Sequence, residues 1–234
     1  RIAGAANRDW EDMATFAWRG RAMIAVADIG DNRARHGTYR IYVVEEPRLA
    51  GMRFNPSAAV TVAWTVTFRY PDRSHDAEAA AVDVAGGQIL ILTKRDRPAL
   101  LFGVSIEPEA AGKPRVARRI GAIDRIPPPT ADDRLYPYGE FRAQPTAMDL
   151  SPEGLKMIVL TYKDAYLFIR TAAGEAWTTV SDTRPIPIPL PLPQNTPGFG
   201  QREAACFSAD AGQLHVTSEG RHAGMYRIDL ECVP

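Results

Sequence analysis

Apolar and polar residues alternate with a period of two along most of the chain. Met23 to Ala27, Tyr39 to Val44, Val60 to Tyr70, Ile89 to Thr93, Met157 to Thr161 and Leu214 to Ser218 are short runs rich in β-branched or aromatic residues. Each is bounded by Gly, Pro, Asp or Asn. Successive side chains of a strand point to opposite faces, so the pattern predicts strands joined by turns. No stretch of a dozen residues carries the i, i+3, i+4, i+7 spacing of an amphipathic helix. The Ala-rich stretch Asp76 to Ala85 is too short, and its neighbours are strand-like. The chain is expected to be all-β.

Internal repetition narrows the architecture. Four segments align: Asp9 to Ala14 with Ala22 to Asp28, Asp76 to Asp83 with Gly87 to Lys94, Pro145 to Gly154 with Met157 to Tyr162, and Gln201 to Ser208 with Gly212 to Glu219. Each reads as a small-residue strand, a Gly-containing turn and a β-branched strand. A third strand follows at Tyr39 to Glu45, Ala99 to Ser105, Ala165 to Arg170 and Met225 to Leu230. A fourth, outer strand is expected ahead of the second, third and fourth units, at Thr61 to Tyr70, Arg115 to Ile123 and Trp177 to Ile186. Arg1 to Ala5 is the candidate for the first unit.

Repeated strand quartets predict a β-propeller, in which the innermost strands converge on a central channel and favour Ala and Thr. The expectation is one domain over 1–234 with four recognisable four-stranded blades, in units of about 1–50, 58–108, 113–172 and 175–232. An N-terminal blade missing from this chain would complete the ring, since small rings are uncommon. A sandwich or barrel is the second choice. Two Pro-rich loops, Ile126 to Pro145 and Pro185 to Gly200, lengthen the repeats. Pro fixes φ and lacks a donor, so the Pro185 to Pro193 run predicts an extended edge connection or a docking segment for a partner.

Composition sets outer limits. The chain has 234 residues, 45% of them hydrophobic, which excludes disorder, and its 28 basic and 28 acidic residues cancel. That balance gives no field for nucleic acid, and no apolar run approaches the ~20 residues of a membrane-spanning helix. Residue 1 is Arg rather than Met and no leader pattern follows, so a removed leader or a piece of a longer chain is expected.

The aligned units place Glu11, Glu78, Thr146 and Glu203 at one equivalent position, with Asp9 and Asp76 equivalent to each other and Asp12 beside them. If the blades are radial, three carboxylates face one channel mouth. They would hold a cation or polar ligand, or accept hydrogen bonds from neighbouring blades, or serve as general acid and base. Glu219 joins Glu11, Asp12, Asp76, Glu78 and Glu203 as a ligand or channel candidate. The Asp28-Ile-Gly-Asp-Asn32 turn offers oxygens to calcium, or is an Asx turn. Asp28, Asp31, Asn32, Glu78 and Glu203 form the candidate calcium set. His36, His75, His215 and His222 lack zinc spacing; His75 beside Asp76 alone lies near the expected mouth. Lys94, Arg95 and Arg97 read as a solvated basic loop. Cys206 and Cys232 would staple the chain end if bridged, or remain two buried thiols.

Asn7 to Ala14, Ala27 to Asn32, Arg40 to Pro47 and Tyr70 to Glu78, with Thr93-Lys-Arg95 and Gln201 to Ala204, resemble a set of uncharacterised, mostly exported bacterial β-propeller proteins. The resemblance implies the propeller fold, a periplasmic or extracellular location and one more N-terminal repeat. It implies no activity. Glu203 to Ser208 followed by Leu214 to Glu219 is more weakly similar to the calcium-dependent β-propeller phytases, in which acidic residues around an inner strand hold calcium.

The function expected first is a non-catalytic binding or assembly module, calcium being its candidate stabilising ion. Its partner would be a protein or a small polar ligand, and membership of a larger assembly is an option. The alternative is a calcium-dependent phosphoesterase using the channel carboxylates. No Gly-x-Ser-x-Gly elbow supports acyl transfer.

Overall fold

In the computed structural model, residues 1–47, 59–108, 113–178, 183–191 and 201–230 are described. Among these residues, seventeen strands form four sheets, antiparallel except where short strands add to an outer edge, arranged as the blades of a β-propeller. In the first, β2 (Trp10–Trp18), β3 (Arg21–Asp28), β4 (Tyr39–Glu45) and β5 (Val60–Arg69) run from the axis outward. The short β1 (Ile2–Ala3) pairs in parallel with β5. The second holds β6 (Ala77–Asp83), β7 (Gln88–Thr93), β8 (Ala99–Ser105) and β10 (Arg118–Ile123), while β9 (Arg115–Val116) crosses back to pair with β5. The third holds β11 (Pro145–Leu150), β12 (Lys156–Thr161), β13 (Ala165–Ile169) and β14 (Ile186–Ile188). In the fourth, the described residues form β15 (Arg202–Phe207), β16 (Gln213–Ser218) and β17 (Met225–Asp229). No helix among the described residues is long and apolar enough to cross a membrane.

The outer strands correct the expected unit boundaries. β5, β10 and β14 pair with the third strand before them, so each closes the preceding blade rather than opening the next. The third is also shorter than expected. Trp177 lies outside β14, buried in the core with Arg170 stacked 4.5 Å over its ring, and among the described residues strand pairing is confined to Ile186–Ile188. Pro187 is tolerated there because β14 is the outermost strand of its sheet.

Packing explains why the middle strands read as unbroken apolar runs. In β7, Ile89 and Ile91 enter the core shared with the first blade, while Leu90 and Leu92 enter the core shared with the third. In β12, Met157 and Val159 face the second blade, and Ile158 and Leu160 the fourth. β6 is buried along its whole length, Ala80 and Val82 on one side and Ala79 and Ala81 on the other. Larger residues would overfill that crowded strand, at typically ~1–3 kcal/mol.

Three such cores join four blades. Across the remaining seam the first and fourth blades face each other over a cavity of about 450 Å³ lined in part by Met13, Val26, Ala204, Cys206 and Met225. Met13 is 61% and Met225 73% exposed.

Two kinds of polar link lock the packed blades. Asp12 Oδ2 accepts from Ala80 N at 2.8 Å and Met148 N at 3.1 Å, reaching the inner strands of both the second and third blades. Asp149 Oδ2 likewise accepts from Phe207 N at 2.9 Å. Farther down, Arg170 donates two hydrogen bonds to Asp83, at 3.0 and 2.9 Å, with both side chains almost fully buried. A two-pronged geometry of this kind is what a buried guanidinium–carboxylate pair requires.

Candidate functional site at the channel mouth

Every inner strand carries one irregularity, at the same place. The pairing register slips between Trp10 and Asp12, Ala77 and Ala79, Pro145 and Ala147, and Arg202 and Ala204. The skipped residues are Glu11, Glu78, Thr146 and Glu203, the four that align in the sequence. A β-bulge bends its strand and re-aims the extra side chain. Here the repeated bulge turns three carboxylates into one cavity of about 470 Å³, which Glu11, Glu78, Glu203, Glu219, Lys94, Arg95 and Tyr162 help to line.

Lys94 follows directly on β7 and is 6% exposed. Its Nζ hydrogen-bonds Glu78 and donates to Tyr162 Oη at 2.9 Å. Burial alone would lower the lysine's pKa, but Glu78 and Tyr162 outweigh it and hold the ammonium charged. Arg95 donates Nε to Asp76 Oδ2 at 2.6 Å and hydrogen-bonds Asn32. Both cations therefore already have partners. Glu11, Glu203 and Glu219 have no ion pair to a cation among the described residues.

The electrostatics follow from this imbalance. Burial, reinforced by Glu78 and Asp9, pushes the Glu11 carboxyl up to about 9 against the pull of Lys94. Burial and the nearby Glu78 push Glu203 up to about 7, again with Lys94 opposing. Glu78 is also raised by burial, although Lys94 pulls it down. Gly30 belongs to the same arrangement, since a β-carbon there would collide with the carboxylate oxygens of Glu11 and Asp9.

The other candidates divide by role. Asp12 is an interblade acceptor and does not line this cavity, although it reaches the cavity at the seam. Asp76 is consumed by Asp31 N at 2.8 Å and by Arg95. Asp31 accepts from Arg35 N, His36 N and the Tyr39 hydroxyl, and Asp28 Oδ1 accepts from Arg8 N and Asp9 N. Asp28 and Asp31 thus serve as turn caps, although Asp28 Oδ2 is buried with no hydrogen-bond partner among the described residues. Of the candidate calcium set, Asn32, Glu78 and Glu203 line the cavity, whereas Asp28 and Asp31 do not. Among the described residues no group of three or more His, Cys, Asp or Glu is arranged to hold a metal ion. His75 lies buried between Asp96, at 2.8 Å from Nδ1, and Asp72, at 3.1 Å from Nε2, and its ring packs on Tyr70 and Phe102. It braces a loop and does not line the mouth. Cys206 is exposed, on the seam side of β15; Cys232, with which a bridge would form, lies outside the described residues, as do residues 192–200 of the second Pro-rich loop.

Lys94, Arg95 and Tyr162 escape the sequence reading. A basic residue after a strand carries no mark of burial, and Lys94 meets Glu78 and Tyr162 only through the fold. The signal that existed was positional: Lys94 and Tyr162 each directly follow the second strand of their blade, and Glu219 does so in the fourth.

The loop joining the second and third blades lies beside the cavity, against Tyr162. Its short 3-10 turns, Asp133–Leu135 and Gly139–Phe141, are tied down by Asp133, which binds Arg142 at 2.8 Å and Lys163 at 2.7 Å. Tyr138 stacks on Tyr162 with ring centroids 5.9 Å apart and planes 9° apart. Leu135 and Tyr138 remain exposed on this crest.

No family model and no curated protein matches the chain. Solved structures match along nearly all of it at low identity. A putative 6-phosphogluconolactonase from Bacteroides uniformis is 13% identical over 97% of this chain and 69% of its own, with a TM-score of 0.46. Sqt1 from Chaetomium thermophilum is 11% identical over 96% of this chain and 44% of its own, with a TM-score of 0.43. The β-propeller domain of Cps50 (Swd1) from Myceliophteria thermophila is 12% identical over 98% and 55%, with a TM-score of 0.41. The chain thus spans about half the length of the Sqt1 and Swd1 structures it matches.

Proposed function

We propose that the protein is a non-catalytic binding module whose ligand or partner docks at the channel mouth. The observation that carries this reading is the repeated bulge. Three blades contribute a carboxylate to one cavity, at an unfavourable proximity that folding alone does not need. The cavity of about 470 Å³ is of ligand-binding size. Its buried lysine is held charged by Glu78 and Tyr162, and among the described residues no Ser, Thr, Cys or His lines it.

The test combines binding with turnover. Thermal melts against a panel of small charged and neutral solutes should show stabilisation by at least one, lost in a Glu11→Gln/Glu203→Gln double variant that still folds. Phosphate release from phytate and from simple phosphoesters should stay at background with calcium or with EGTA. EGTA-sensitive release, abolished by replacing Glu78 and Glu203, would instead establish the calcium-dependent phosphoesterase.

A further inference from the structure

We propose that the channel mouth recognises a basic side chain, an arginine or lysine, presented by an extended segment of a partner protein. The inference rests on the binding reading above and names the chemistry of the occupant. Charge complementarity is the first ground. Glu11, Glu203 and Glu219 line the cavity without an ion-pair partner among the described residues, whereas Lys94 and Arg95 are held by Glu78, Asp76 and Asn32. A guanidinium offers five donors in a planar fork that suits several carboxylates at once.

A second sign of a missing polar partner comes from the bulge of the third blade. Thr146, 1% exposed, sits at the bulge position equivalent to Glu11, Glu78 and Glu203, and its hydroxyl has no hydrogen-bond partner among the described residues. Such a group is uncommon in a folded protein unless something else completes it.

The crest beside the cavity favours a protein segment over a free small cation. Leu135 is 80% and Tyr138 43% exposed, and Tyr138 stacks directly on the cavity wall at Tyr162. Exposed aromatic and aliphatic side chains bordering a charged pocket are what an interface anchor uses: the basic group enters, and its apolar neighbours rest on the rim. The raised pKa of Glu203 fits this arrangement, because an incoming cation would restore its charge.

Calorimetry on the full chain tests the proposal with a blocked leucyl-arginyl-leucine peptide, its citrulline and glutamate counterparts, arginine amide and calcium chloride. The arginine peptide should bind at least tenfold tighter than the citrulline peptide and several-fold tighter than arginine amide. Glu203→Gln/Glu219→Gln should weaken it at least tenfold. Tyr138→Ala, outside the cavity, should remove the advantage over arginine amide while leaving arginine amide unaffected. Equal affinity for the citrulline peptide would overturn the proposal, as would calcium binding that the peptide cannot displace. If the glutamate or citrulline peptide binds in a Glu203-dependent way, the cationic class fails while the binding module stands. No binding by any probe, together with no stabilisation in the solute panel, contradicts both.

Discussion

Glu203 is the residue at which stability and recognition pull in opposite directions. Burial and the nearby Glu78 push its carboxyl up to about 7 in the folded protein, from an ordinary value of 4.5. Below pH 4.5 both states are protonated and the group is neutral in its effect. As pH rises from 4.5 to 7 the unfolded chain releases its proton first, so folding loses free energy over that window. Glu11 extends the loss toward pH 9. Glu203→Gln and Glu11→Gln should therefore raise the melting temperature at pH 8 by a few degrees each, after discounting for partial exposure, and by little at pH 4. Scanning calorimetry at the two pH values checks this; destabilisation at pH 8 would mean that the carboxylates are structurally supported.

Among the elements, the inner strands show what the sequence discloses and what it hides. The equivalence of Glu11, Glu78, Thr146 and Glu203 was legible because each repeats one local pattern, and the bulge that aims them is equally local. Asp12 was legible only as one of several carboxylates; its span to Ala80 N and Met148 N depends on two strands distant in the chain. Among the described residues, Asp12 and Asp149 accept backbone hydrogen bonds from neighbouring blades, and the bulged glutamates do not. The outer strands are ambiguous in the sequence for a similar reason: a repeat period is the same whether β5 joins the blade before it or after it. Asp12→Ala leaves two inner-strand amides without an acceptor, and should cost about 2–4 kcal/mol in urea unfolding. Asp12→Asn, which keeps an oxygen, should cost less. Equal stability of Asp12→Ala and the unaltered chain would remove Asp12 from the interblade account.

For the whole molecule, three cores and one cavity-containing seam make an uneven ring. The unbroken apolar runs of β7 and β12 report strands buried on both faces, but not where a ring meets itself. Met13 and Met225 lie at the seam and should tolerate Ser within about 0.5 kcal/mol, whereas Leu90→Ala in the second core should cost about 2–5 kcal/mol. A large penalty at Met13 in denaturant titrations would mean that the seam is packed in solution.

Radial convergence is what brings glutamates from residues 11, 78 and 203 within electrostatic reach of one another, and their titration reads that distance directly. Carboxyl-carbon NMR of glutamate-labelled protein should give midpoints near 9 for Glu11 and near 7 for Glu203. Substituting Glu78 by Gln should lower both. Midpoints near 4.5 for Glu11 and Glu203, unmoved by that substitution, would show that the carboxylates do not share a mouth.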